Sequence, residues 1–201
     1  MLYLNVPYYE KDRAKARGAR WDPRERQWYV PLGGDPSLFR EWILQKPEPG
    51  SGPDATLIGP VFLVTSETFC IRCHEGAPVV ALAASGIERH ETGTTIDGFV
   101  VCCWMTWLSP PLAEVLSERA PSFSLDWCVA DGLCYYLNHC LCGAVFNDFD
   151  LHEEPEGAFF PMEPEECASM RLMTLPPLDD LTVAGSWCES TFDWQTYVPR
   201  E

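Results

Sequence analysis

Two close-set thiol pairs, Cys70-Ile-Arg-Cys73 and Cys140-Leu-Cys142-Gly143, stand 66 residues apart in a chain of 201 residues. If they meet, they tie two distant parts of the chain to one point, and any fold must satisfy that. Ten cysteines in a small secreted chain would read as a disulfide scaffold. Here the start, Met1 to Tyr9, has neither the basic segment nor the apolar run of an export signal, so the expectation is a reducing cytoplasm. Cysteine pairs at this spacing then predict a tetrahedral zinc site made by Cys70, Cys73, Cys140 and Cys142, with metal–sulfur bonds of about 2.3 Å. Four protein ligands leave no coordination position for a reacting water, so the site is expected to be structural.

The second pair has a single spacer residue, which leaves alternatives open. His139 with Cys142 would restore the two-residue spacer, and His74 or Cys134 are further substitutes. The pairs could also be buried free thiols. A glycine tolerates the positive φ that a tight knuckle needs, and Gly143 follows Cys142 directly, whereas Gly76 comes late after Cys73. The other six cysteines (Cys102, Cys103, Cys128, Cys134, Cys167, Cys188) are expected to be mostly small buried apolar residues.

Charge divides the chain. Residues 1–46 carry nine Lys/Arg and six Asp/Glu, and residues 47–201 carry five and 24, so the net −16 is +3 followed by −19. Between them, residues 47–54 (Pro-Glu-Pro-Gly-Ser-Gly-Pro-Asp) read as a linker, because prolines and glycines at this density support neither helix nor central strand. The expected organisation is a basic, aromatic module over 1–46, a linker over 47–54 and an acidic zinc-ribbon-like domain over 55–201. The expected fold class is α+β. The module reads strand, helix, strand, turn, strand, short helix, with Gly18 ending the first helix. In the acidic part, strands are expected over 56–64, 77–84 and 98–107 and a helix over 110–119. Residues 85–97 read as a polar loop, 144–151 as a strand and 164–172 as a short helix. The apolar run Phe99–Leu108 falls short of the ~18 residues of a membrane span, so no membrane partner is expected.

In the module, cations interleave with large aromatics. Lys11 and Lys15 share a helix face, and Arg20, Arg24 and Arg26 flank a turn between Trp21 and Trp28. Such a set suits a phosphate backbone with stacked bases, which points to single-stranded DNA or a DNA-processing protein as partner. The competing reading makes Trp21, Trp28 and Tyr29 the mini-core of a very small domain under a solvated basic face.

The run Lys11-Asp-Arg-Ala-Lys-Ala-Arg-Gly-Ala-Arg-Trp-Asp22, closed by Trp28-Tyr-Val-Pro31, resembles a short bacterial domain of unknown function often attached to plasmid-borne DNA primases and related conjugation proteins. The resemblance covers about the first 45 residues and implies an association with nucleic acid. The remainder, through Phe69-Cys-Ile-Arg-Cys73, Pro78-Val-Val-Ala-Leu82, Tyr136-Leu-Asn-His-Cys-Leu-Cys-Gly-Ala144 and Leu151-His-Glu-Glu-Pro155, is similar to uncharacterised bacterial zinc-ribbon-like proteins. In those proteins the second knuckle keeps two residues between its cysteines, and here one is missing.

No phosphate-cradling glycine loop and no nucleophile elbow is present in the sequence. His152-Glu153-Glu154 and the pair Asp148, Asp150 read as solvated surface. Three functions compete: a non-enzymatic binding protein, nucleic-acid-associated through its first module; an acidic protein-interaction or nucleic-acid-mimic protein acting through the −19 part, with a protein partner; and an enzyme with a site among residues 70–161. The first is the expectation carried forward.

Overall fold

The computed structural model of the protein describes residues 2–4, 6–24, 27–42, 52–128, 131–155, 157–189 and 194–200. The chain divides into two units, Met1–Glu48 and Pro49–Glu201. Most of the expected linker, residues 47–51, lies outside the described residues.

The first unit opens with β1 (Leu2–Leu4). A short 3-10 turn, Tyr8–Glu10, then runs into α1 (Lys11–Ala16). Gly18 at φ +99° turns the chain out of the helix. The hairpin β2 (Arg20–Asp22) and β3 (Gln27–Val30) follows, then a 3-10 segment, Pro36–Trp42. The antiparallel sheet has order β1-β3-β2. Its core is Leu4, Ala14, Ala19, Val30, Phe39 and Trp42, with Trp28 packed at the side. Trp42 is the anchor. Its indole N–H donates to Glu10, and the guanidinium groups of Arg13 and Arg17 sit 4.8 and 5.1 Å from its ring while both pair with Glu41. These two arginines are thus committed to the unit's own fold.

The second unit is built on three long strands, β4 (Ala55–Phe69), β5 (Gly76–Arg89) and β6 (Thr95–Leu108). After them come α2 (Pro110–Arg119), β7 (Phe123–Cys128), β8 (Leu133–His139), β9 (Val145–Phe146) and α3 (Asp148–His152). A 3-10 turn at Pro164–Ser169 leads to β10 (Arg171–Thr174), and β11 (Thr182–Glu189) follows. The architecture is mixed and strand-rich, in keeping with α+β. Among the described residues, no helix is long and apolar enough to cross a membrane.

The near-continuous apolar runs of β4, β5 and β6 are those of strands covered on both faces. The antiparallel pairings β4–β5, β5–β6, β6–β11 and β11–β4 close a ring, and β10 adds to β4 beside β11. On one side Leu57, Leu63, Leu82, Val100 and Met105 meet Leu112 and Leu116 of α2. On the other, Phe62, Val64, Val79, Ala81 and Val101 meet Leu151, Phe159, Leu172 and Trp194.

Three expectations are corrected. Residues 85–97 are not a loop: β5 and β6 continue through Arg89 and from Thr95, and the polar character reflects an exposed hairpin end. Residues 144–151 hold only the two-residue β9 before α3 begins, because Asn147 caps the helix by accepting from Asp150 N. Residues 164–172 split into a 3-10 turn and the start of β10.

Candidate metal centre

Each thiol pair lies in the turn of an antiparallel hairpin. Phe69 pairs with Gly76 around the first turn, and His139 pairs with Val145 around the second. The first turn therefore holds six residues (70–75) and the second five (140–144). Both close the same way. Cys70 N donates to Glu75 O at 2.9 Å and Cys140 N to Ala144 O at 2.8 Å. Inside them, His74 N donates to Cys70 O, four residues back, and Gly143 N to Cys140 O, three residues back. The missing spacer residue is absorbed by tightening the inner bond from four residues to three.

The residue after the second thiol takes left-handed backbone in both turns: His74 at φ +61° and Gly143 at φ +82°. Gly143 was the expected relief. In the first turn it falls to His74, and Gly76 is already the first residue of β5.

The four sulfurs of Cys70, Cys73, Cys140 and Cys142 all lie within 4.8 Å of one another. Cys70 Sγ is 3.7 Å from Cys142 Sγ, and Cys73 Sγ is 3.6 Å from Cys140 Sγ. A tetrahedron with bonds of about 2.3 Å has sulfur–sulfur edges of about 3.8 Å, so the thiols fit a bound metal ion. The surroundings already favour a thiolate. The amide of Cys73 leads the interactions that hold the Cys70 thiol down to about 6, against burial. The amide of Glu75 favours ionised Cys73, but burial and the hydrogen bonds among the sulfurs push that thiol up to about 12.

The alternative ligands lie elsewhere. His139 is held between Ser122 O, 2.9 Å from Nδ1, and Asp126 Oδ2, 3.0 Å from Nε2. His74 is exposed and lies against Phe69. Cys134 faces the partner strand opposite Trp127. None of the three belongs to the four-sulfur cluster.

A second link joins the same two hairpins. Asn138 on β8, fully buried, accepts from Val80 N at 2.8 Å and donates to Val80 O at 2.9 Å. Its amide pairs with the edge of β5 as a neighbouring strand would. Nothing in the sequence marks Asn138 apart from its place in a strand that is otherwise apolar or aromatic.

In the first unit the expected nucleic-acid residues divide over several surfaces. Lys11 Nζ lies 4.1 Å from the centre of the Tyr8 ring and 3.6 Å from Asp12, and Lys15 is exposed one turn further along α1. Trp21 and Trp28 face each other across β2 and β3, edge to face at 5.6 Å. Trp28 packs on the core while Trp21 is 48% exposed. Arg20 pairs with Tyr29, which meets Tyr3 at 6.3 Å, so these three lie on the opposite face of the sheet from Trp21 and Trp28. Arg24 is exposed in the turn. Arg26 lies outside the described residues. Tyr29 is therefore not a partner of the two tryptophans in a mini-core.

Residues 1–43 match the domain of unknown function DUF5710. Forty residues are 65% identical to part of one DNA primase TraC of Escherichia coli and 58% identical to part of a second. The matches cover 20% of this chain and only 4% and 3% of the length of those relatives. No solved structure matches the chain. The DUF5710 segment thus contains β1 to β3, the Trp42 anchor and Lys11, Lys15, Arg20, Arg24 and Arg26.

Beyond the DUF5710 segment, α3 carries two buried ionisable groups that the sequence reading placed in solvent. Asp148 is 3% exposed and accepts from Trp104 N at 2.5 Å; burial, opposed by that amide, pushes its carboxyl up to about 7. His152 is 2% exposed, and burial pushes it down to about 3; its Nδ1 has no hydrogen-bond partner among the described residues. The Asn147–Asp150 cap is the sequence signal for this helix. Spacing of four along it turns Asp148 and His152 to one face.

Proposed function

We propose that this protein acts by binding rather than by catalysis, with a zinc-held β-rich unit and an amino-terminal module that engages single-stranded DNA or a DNA-processing protein. The observation that carries the reading is the match of the DUF5710 segment to parts of proteins named DNA primase. Its half-buried Lys11 and exposed Lys15, Arg20, Trp21 and Arg24 supply charge and stacking surface for a flexible polynucleotide. Zinc is the metal of choice for four thiolates in tetrahedral array, and two thiol-bearing hairpins that meet at one cluster support the reading of a zinc ribbon with a long insertion. Saturation by four protein ligands supports a structural role. The setting proposed is a bacterial cytoplasm, where the thiols stay reduced.

The test is a salt titration of single-stranded DNA binding by the full chain. A variant carrying Lys11→Gln, Lys15→Gln, Arg20→Gln and Arg24→Gln is expected to bind more weakly, with a salt slope flattened by up to about 3. Equal binding and slope in the two proteins, or no binding at low salt, would remove the DNA reading.

A second reading concerns the acidic unit. Ile71, one of the two spacer residues of the first knuckle, and Leu141, the single spacer of the second, are 86% and 103% exposed. With a formal charge of −19 over residues 47–201, these apolar tips favour a protein partner with a basic and apolar surface. Loss of a co-purifying partner on Ile71→Ser with Leu141→Ser would support it.

A further inference from the structure

Away from the metal centre, β6 and β11 bring two more thiols together. Cys103 pairs with Ser186 and Cys188 with Val101, so the cysteines are diagonal neighbours on one face of the strand pair. Their sulfurs are 3.3 Å apart, against about 2.05 Å in a disulfide. The ladder is irregular beside them. A bulge falls between Ala184 and Ser186, with Gly185 at φ +155°, and Trp104 takes φ +46°. An interrupted ladder lets the two strands shift locally, as closure to a disulfide requires.

The two thiols are not equivalent. Cys103 is 1% exposed, while Cys188 is only half-buried and is the one a small oxidant reaches first. The hydrogen bond between them favours ionised Cys188 and protonated Cys103, and lowers the Cys188 thiol while burial opposes. Among the described residues, Asp148 and Glu153 are the carboxylates that face the pair and disfavour a thiolate. Of these, Asp148 is itself pushed toward its neutral form by burial. The adjacent Cys102 packs into the opposite face, and burial pushes it up to about 12.

We propose that Cys188 and Cys103 form a peroxide-reactive thiol pair, in which Cys188 is oxidised first and Cys103 resolves it to a disulfide. The Cys188 thiolate attacks a peroxide oxygen: an S–O bond forms, the O–O bond breaks, and the leaving oxygen takes a proton to depart as water or an alcohol. Cys188 is then a sulfenic acid. The Cys103 sulfur displaces its hydroxyl group: the S–S bond forms, the S–O bond breaks, and the Cys103 proton leaves with the hydroxyl as water. Two thiols have lost two electrons, and one peroxide has gained them.

The experiment treats the zinc-loaded full chain with one equivalent of hydrogen peroxide, alkylates the remaining thiols and maps the peptides. The expected result is a Cys103–Cys188 cross-linked peptide as the main disulfide, with zinc retained. In Cys103→Ser the cross-link is absent and Cys188 is trapped by a sulfenic-acid reagent. Recovery of Cys188 as an alkylated free thiol overturns the proposal. So does a disulfide pattern confined to Cys70, Cys73, Cys140 and Cys142 with zinc release. The peptide map of the unsubstituted protein decides the matter even if the Cys103 variant fails to fold.

Discussion

The two knuckles perform one task with different amounts of chain. The first closes over six residues and the second over five. Both present two sulfurs, and both place a left-handed residue directly after the second thiol. The difference shows that gathering four sulfurs constrains where the sulfurs end and how the hairpin closes, not the number of spacer residues. The knuckles also differ in what they feed. The first delivers the 14-residue strand β5, and the second delivers two residues of β9 and then α3 with its buried Asp148 and His152.

The sharpest way to break the equivalence of the knuckles is to remove one thiol from each. If the cluster holds zinc as proposed, Cys70→Ser and Cys140→Ser are each expected to abolish zinc binding and to unfold the second unit, since structural zinc contributes roughly 10–16 kcal/mol of binding free energy. Zinc stoichiometry and a thermal melt check this. A Cys140→Ser protein that keeps one tightly held zinc would show that the shorter knuckle is not an equal partner.

Asn138→Ala asks whether the four-thiol cluster alone joins the two hairpins. It leaves Val80 N–H and C=O buried without partners, at about 1–3 kcal/mol for each group. Urea unfolding of the zinc-loaded protein should show the loss. An unchanged midpoint would leave the four-thiol cluster as the sole clasp.

The exits of the knuckles can be separated by pH. Asp148, near 7 when folded and 3.8 when unfolded, holds a proton that the unfolded chain releases, so its contribution falls as pH rises from about 4 to 7. His152, near 3 when folded and 6.5 when unfolded, refuses a proton that the unfolded chain accepts, so its contribution falls as pH drops from about 6.5 to 3. The two oppose each other between about pH 4 and 6.5. Asp148→Asn is expected to expose loss of stability on acidification, and His152→Phe loss on alkalinisation. Each slope is up to about 1.4 kcal/mol per pH unit. Denaturant melts across pH 4 to 7 check both signs.

The smallest effect concerns the left-handed residues. Gly143→Ala should destabilise by about 1–2 kcal/mol, and His74→Gly should be neutral or slightly stabilising, because only the histidine carries the steric cost now. A pair of melting curves distinguishes them. Equal destabilisation would mean that the His74 ring, through Phe69, matters more than its backbone.

Much of this was legible in the sequence, for physical reasons. Spacing made the four sulfurs the first choice, with His139, His74 and Cys134 left open, because thiolate pairs in hairpin turns are a local device. The elements of the first module could be read because Gly18, Pro23, Pro31 and Pro36 punctuate them. Other features depend on distant neighbours. Asp148 and His152 looked like surface because charge normally seeks water, and only their four-residue spacing on a helix packed against β6 buries them. The polar tips of β5 and β6 read as loop because an exposed hairpin end has loop composition. Whether His139 was a ligand depended on Ser122 and Asp126, which no spacing rule connects to it. Tyr29 parted from Trp21 and Trp28 because adjacent residues in a strand face opposite ways.

The ring of the second unit is closed by β11, which pairs with both β6 and the beginning of β4. During synthesis the ribosome delivers β4, β5 and β6 long before Thr182–Glu189 emerges. Until then the outer edges of β4 and β6 present unpaired backbone, open to mispairing with other chains. The knuckle sulfurs, all translated by residue 142, offer an earlier clasp. Metal capture could therefore hold a half-made chain in register while it waits for its last long strand. On the proposed zinc reading, metal supply would then govern how much protein matures, as well as how stable the finished molecule is.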